Sequence, residues 1–325
     1  MTLMIIGTLA GAGAVVAISY LVERLRRAPA TATALSWAPE VPVRWVTVDG
    51  VRLRYVVAGN GVPVVLLHTL RTQLDLFQRV FSALAARYRV YAVDLPGHGH
   101  SDIPAADYSA EFFIDKIAGF LDRLELDGTV LVGESIGGAI ALALAADHHP
   151  RVRAVVAINP YDYDRGRGLL RASLLARLLF GLNDVPILGG TVMRLRQLPV
   201  ITAVLEGGLH RLGSLPPALA REIYQVGNRR GHYQGFMSLV HHWPSWEAVA
   251  ERYGAIDRPV LLLYGDHDWS RTGERQQNAQ KISGAELRTV AEAGHLLSLD
   301  APDDMITQVT EFIDRLPHDG RPLGA

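Results

Sequence analysis

Ser135 stands in the run Gly133-Glu134-Ser135-Ile136-Gly137. An apolar run, Thr129–Val132, leads into it, and an alanine-rich run, Ile136–Asp147, leads out. The order strand, glycine-flanked serine, helix describes a sharp turn. Its strained backbone demands flanking positions without bulk. Such a turn lifts the hydroxyl above the carboxyl edge of a sheet. It also aims the N-terminus of the following helix at the reacting centre, where the helix dipole favours negative charge. The chemistry is nucleophilic: a serine hydroxyl attacks well only when a neighbouring imidazole takes its proton, and a carboxylate holds that imidazole's tautomer. His295, after Gly294, is the candidate base, and Asp266 and Asp268, after the run Pro259–Tyr264, are candidate acids.

The other histidines have plainer readings. His98 and His100 lie in a glycine-rich turn and read as structural. His148 and His149 end a helical run before Pro150, where positive charge suits the dipole. His241 and His242 lack a third ligand at metal spacing, so no metal is expected. Neither a Gly-x-Gly-x-x-Gly after a strand nor a P-loop is present, and no cofactor is expected.

These residues need elements to position them. Val41–Val48 and Val51–Val57 flank Asp49-Gly50, a hairpin signal. Val62–Leu67 is a short continuous apolar run of the kind buried on both faces of a parallel sheet. Strand and helix signals then alternate: Phe77–Arg87 helical, Arg89–Asp94 strand, Phe112–Leu124 helical, Thr129–Val132 strand, Ile136–Asp147 helical, Ala154–Ile158 strand. Pro259–Tyr264 and Leu287–Val290 supply two later strands. Alternation implies βαβ units and an α/β fold with a mostly parallel, doubly wound sheet. From Tyr161 to Tyr253 no convincing strand occurs. Leu169–Leu182, Val192–Leu209 and Pro217–Leu239 carry helical periodicity instead. That stretch is too long for a connection and reads as an inserted helical cap.

The 325-residue chain has a formal net charge of -1 and no cysteine, which excludes disulfides and thiol nucleophiles and gives no sign of a nucleic-acid partner. Met1–Val22 carries no charged residue and as a helix would match the thickness of a hydrocarbon core, roughly 30 Å. Arg24, Arg26 and Arg27 follow at once. The expectation is one N-terminal transmembrane helix that holds the protein at a bacterial inner membrane as a single-pass protein, with the catalytic domain cytoplasmic. The expected organisation is an anchor over 1–27, a linker over 28–40, a core over 41–160 and 254–316, a cap over 161–253 and a tail over 317–325.

Five motifs resemble the α/β-hydrolase superfamily, and its capped serine hydrolases above all. They are Leu67-His68-Thr69, the run from Asp94 through Pro96-Gly97-His98-Gly99-His100 to Asp102, Gly133-Glu134-Ser135-Ile136-Gly137, Tyr264-Gly265-Asp266-His267-Asp268, and Gly294-His295. They occur in that family's order and spacing over about residues 41–316. The resemblance implies a Ser135–Asp268–His295 triad, with Asp266 shaping the turn. Asp162 or Asp164 is a remoter acid, because some relatives place theirs after the preceding strand. It also implies an oxyanion hole from the backbone N–H groups of Ile136 and Leu70. Relatives carry His-Gly where this chain has His68-Thr69. His68, Thr69, Arg71 and Glu134 are candidate substrate contacts. Arg71 either binds a substrate carboxylate or, as the plainer reading, pairs with Asp75 one helical turn on.

Serine at the elbow, where dehalogenases and epoxide hydrolases of this fold have aspartate, implies hydrolysis of a carboxylic ester, with a lipid or a thioester as variants, through an acyl-enzyme. An acyltransferase, a cofactor-free perhydrolase or a carbon–carbon bond hydrolase would use the same triad, and a membrane-anchored binding protein is the non-enzymatic alternative. The expected partners are a lipophilic acyl substrate and, through residues 1–22, a membrane.

Overall fold

The computed structural model describes residues 2–183 and 185–317, with side chains from residue 11 onward. The chain opens with helix α1 (Thr2–Leu25) and an irregular linker. Asp49 and Gly50, both at positive φ, then turn β1 (Val43–Val48) back along β2 (Val51–Ala58). Left-handed backbone at both turn positions is what the right-handed twist of a two-residue hairpin needs. From there strands and helices alternate: β3 (Pro63–Leu67), α2 (Phe81–Ala85), β4 (Arg89–Val93), α3 (Ala110–Arg123), β5 (Thr129–Glu134), α4 (Ile136–Ala146) and β6 (Val152–Ile158).

Between β6 and the next strand the described residues form only helices and loops. The helices are α5 (Leu174–Gly181), α6 (Leu188–Arg194), α7 (Leu198–Glu206), α8 (Pro217–Val226), α9 (His232–His241) and α10 (Pro244–Val249). The sheet resumes with β7 (Val260–Gly265), followed by α11 (Thr272–Lys281), β8 (Glu286–Val290), α12 (Leu297–Asp300) and α13 (Pro302–Asp314). The strands lie in the order β1-β2-β4-β3-β5-β6-β7-β8. β3 to β8 run parallel, and β1 and β2 form an antiparallel edge.

The central strands are largely continuous apolar runs because both faces are covered. Val65, Leu67, Leu131 and Leu262 face α3, α4 and the cap, while Val64, Leu66, Val130 and Leu263 face α2 and α13. The carboxyl ends of the strands therefore open toward the cap, which is where a doubly wound sheet places its ligand.

Three expectations change. The helix expected over Phe77–Arg87 is a 3-10 turn, Leu74–Arg79, and the short α2. The cap's long periodic stretches are each broken in two. Gly227 caps α8 and Gly231, at φ 90°, starts α9, so the apolar face continues across a break that periodicity alone does not reveal.

The third concerns the transmembrane helix. α1 is helical, yet among the described residues no helix is long and apolar enough to cross a membrane. The polar C-terminal end of α1 docks on the cap. Glu23 pairs with Arg196 at 2.6 Å, and Arg194 Nε donates to Ser19 Oγ at 2.9 Å. Arg26 donates to Tyr224, Asn228 and the carbonyls of Arg194 and Arg196. Of the expected tail, residues 318–325 lie outside the described residues, as does Met1 of the expected anchor.

Candidate active site

β5 ends at Glu134 and α4 begins at Ile136, leaving Ser135 alone on the turn at φ 61° and ψ -119°. A left-handed backbone is costly for a residue with a side chain, by about 1–3 kcal/mol, and persists only where its surroundings enforce it. The two glycines do so by allowing close approach. A Cβ on Gly133 would lie 2.1 Å from the Gly137 carbonyl oxygen, and one on Gly137 would lie 2.1 Å from the Leu67 carbonyl oxygen. β5 and α4 can cross at this turn, beside β3, only without those atoms.

Ser135 Oγ lies 2.8 Å from His295 Nε2, and His295 Nδ1 lies 2.5 Å from Asp268 Oδ1. His295 comes from the loop after β8, and Asp268 from the loop after β7. All three side chains are buried. Burial alone would raise the Asp268 carboxyl. The facing His295 and the hydrogen bonds from His295 and Ser270 outweigh it and hold that carboxyl below its ordinary value. An ionised Asp268 accepting from Nδ1–H leaves Nε2 free to take the serine proton.

The competing acids are engaged elsewhere. Asp266 accepts from the Ala293 N–H at 3.1 Å and shapes the turn. Asp162 is held by Tyr253 and Asn278, and Asp164 pairs with Arg171.

Thr69, Leu70 and Arg71, in the loop after β3, line a small apolar cavity of about 40 Å³ together with Phe180 and Val204 of the cap and Trp269. A second apolar cavity of about 30 Å³ adjoins it, sharing Arg71, Phe180 and Val204 and adding Met193 and Ile201. The backbone N–H of Ile136 opens α4 immediately after Ser135. It has the place of an oxyanion donor, with Leu70 on the facing loop. Where relatives carry a glycine, Thr69 is accommodated. The left-handed residue of this loop is Arg71, at φ 55°.

Two candidate substrate contacts have other tasks. Buried His68 accepts from the Leu95 N–H at Nε2 and donates from Nδ1 to the Thr69 carbonyl, so its ring fixes the oxyanion loop. Buried Glu134 accepts from both the N–H and the hydroxyl of Ser298, three residues past His295. The pairing of Arg71 with Asp75 is also replaced, because Asp75 is taken by Arg54, Trp37 and Gln73.

His98 packs against His68, Phe113 and His232, and burial keeps it neutral, with its pKa down to about 3. Among the described residues no group of three or more His, Cys, Asp or Glu side chains could hold a metal.

Three contributors carry no signal in the sequence. The Trp269 ring stacks on His295 at 3.7 Å between centroids and donates to the Gly207 carbonyl of the cap. Ser270 donates to Asp268. Arg54, fully buried, bridges Asp94 and Asp75 and ties β2 and the end of β4 to the helical turn after the oxyanion loop. A lone tryptophan, serine or strand arginine matches no pattern; only contact in space marks them.

Comparison with known proteins places the fold. The chain is 27% identical to a 2-hydroxymuconate semialdehyde hydrolase of a Pseudomonas species, over 85% of this chain and 95% of that protein. It is 28% identical to a haloalkane dehalogenase of Psychrobacter cryohalolentis, over 82% of this chain and 88% of that protein. Among solved structures, a bacterial membrane phospholipase A superposes with a TM-score of 0.71 at 22% identity, over 97% of each chain, a likeness of fold. These proteins act on different bonds, and a shared fold does not choose among reactions. The family model for the α/β hydrolase fold matches residues 62–302, from the strand before His68 to the start of α13, and the chain belongs to that family.

Proposed function

We propose that this protein hydrolyses carboxylic esters with a lipophilic acyl part, through an acyl-enzyme on Ser135. The observation that carries the proposal is the hydrogen-bonded series Ser135–His295–Asp268 beside an apolar cavity. Ser135 Oγ attacks the ester carbonyl carbon as its proton passes to His295 Nε2. The N–H groups of Ile136 and Leu70 hold the oxyanion. The alcohol leaves with the proton from His295. Water then attacks the acyl-enzyme, again through His295, and releases the acid.

Aspartate-dependent dehalogenation is disfavoured by serine at the elbow. Transfer to an acceptor other than water, perhydrolysis and carbon–carbon cleavage share the triad, and a panel of esters of graded acyl length separates them. Wild-type protein should turn over medium-chain esters, and Ser135→Ala should lose about 1,000-fold or more while remaining folded. Val204→Trp, which fills the cavity, should shift the preference to shorter acyl chains. Turnover unchanged in a folded Ser135→Ala protein contradicts the assignment.

A lipid surface is the proposed setting. The large apolar side chains left exposed gather on α1 (Val15, Ile18, Leu21) and on the α5–α6 segment that flanks it (Leu174, Leu178, Ile187).

A further inference from the structure

A positive charge in the substrate cavity has no counter-charge. The Arg71 side chain lines both apolar cavities, with its guanidinium 4.4 Å above the Phe236 ring. Its Nη1 is buried and has no hydrogen-bond partner among the described residues. The charges that act on it are Arg196, Glu23 and Arg26, so three guanidinium groups share one carboxylate. That carboxylate is already engaged by the other two, at 2.6 Å from Arg196 and 3.1 Å from Arg26. Burial beside these cations drives the Arg71 pKa down to about 9. A buried cation without a partner costs several kcal/mol and persists where a ligand supplies the missing anion. The chain also holds Arg71 at φ 55°, a backbone conformation that is costly for a residue with a side chain.

We infer that Arg71 is the anion-binding residue of the substrate cavity, and that the ester this enzyme cleaves bears a carboxylate on the apolar chain that fills it. The inference rests on the serine-hydrolase reading and narrows its substrate to half-esters of dicarboxylic acids. Leu70, the expected oxyanion donor, and Arg71 are neighbours in one loop. The loop would thus hold the scissile carbonyl at its backbone while the Arg71 side chain reaches the far end of the acyl chain. A carboxylate fits better than a phosphate. It matches the forked N–H edge of a single guanidinium, whereas a phosphate dianion needs further donors that this apolar lining lacks.

The test compares kcat/KM for matched acyl esters of equal length that end in a carboxylate, a methyl ester or a phosphate. Wild type, Arg71→Lys and Arg71→Met are assayed on each. Wild type should prefer the carboxylate-ended ester. Arg71→Met should lower its kcat/KM about 10- to 100-fold more than that of the methyl-ended ester, and Arg71→Lys should retain part of the preference. Arg71→Met should melt no lower than wild type, because no ion pair is lost. Equal losses on the carboxylate and methyl esters, a wild-type preference for the methyl or the phosphate ester, or marked destabilisation of Arg71→Met would each overturn the inference. Labelling of Ser135 by a fluorophosphonate, run alongside, keeps the two readings apart. Labelled protein without the charge preference loses only the anion site, and unlabelled protein loses the hydrolase reading itself.

Discussion

At the scale of residues, the account turns on which acid serves His295. Asp268 makes the 2.5 Å contact with Nδ1, and Asp266 spends its carboxylate on the Ala293 N–H. Asp268→Asn should therefore cut turnover about 1,000- to 10,000-fold, because an amide cannot hold the required tautomer. Asp266→Asn should cost far less, and steady-state rates on one good ester decide between them. The triad was legible in the sequence because each member sits in a motif with its own steric logic. What the sequence did not show were the partners of His68 and Glu134. A residue beside a reactive serine looks like a substrate contact until its hydrogen bonds are traced to Leu95 and Ser298. Arg71 was legible only as a pair of options, and Asp75 settled one of them by binding Arg54.

At the scale of elements, the site depends on a charge buried behind it. Arg54 on β2 holds Asp94 at 2.5 Å and Asp75 at 2.8 Å, and Asp94 also accepts from the Leu74 and His100 N–H groups. Arg54→Met would leave two buried carboxylates uncompensated and should cost about 3–5 kcal/mol in chemical denaturation. Burial would raise the Asp94 carboxyl, but Arg54 and these donors hold it below its ordinary value, as His295 and Ser270 do for Asp268. A carboxyl whose folded pKa is depressed adds stability above its unfolded value, near pH 3.9, and that stability is lost as the pH falls through the lower folded value. Stability from these two groups should thus be level above about pH 5 and decline below about pH 4, as thermal melts across that range would show. The sheet was legible because doubly covered strands read as continuous apolar runs. The breaks within the cap were not, since periodicity reports which face is buried and says nothing about where the backbone turns.

At the scale of the whole molecule, α1 changes most between sequence and structure. Its charge-free stretch suggested a span, but Ser19, Glu23 and Arg26 bind it to α6, α8 and the α8–α9 turn. Those polar residues were visible in the chain; their partners, some 170 to 200 positions away, were not. Arg26→Ala removes five hydrogen bonds from one guanidinium, four of them to the cap, and should loosen α1, costing about 1.5–3 kcal/mol. The linker after α1 should then be cut sooner in limited proteolysis. If the exposed apolar side chains of α1 and α5–α6 lie against lipid, binding to vesicles should weaken in Ile18→Ser, Leu178→Ser and Ile187→Ser combined, as flotation would measure.

The central claim is that Ser135 is a nucleophile activated by His295. The most direct measurement is mass spectrometry of the protein after exposure to a fluorophosphonate. One adduct on the peptide containing Ser135 is expected, with none in Ser135→Ala and slow, incomplete labelling in His295→Ala. An unmodified Ser135 in folded wild-type protein, or labelling as fast in His295→Ala as in wild type, would contradict the account.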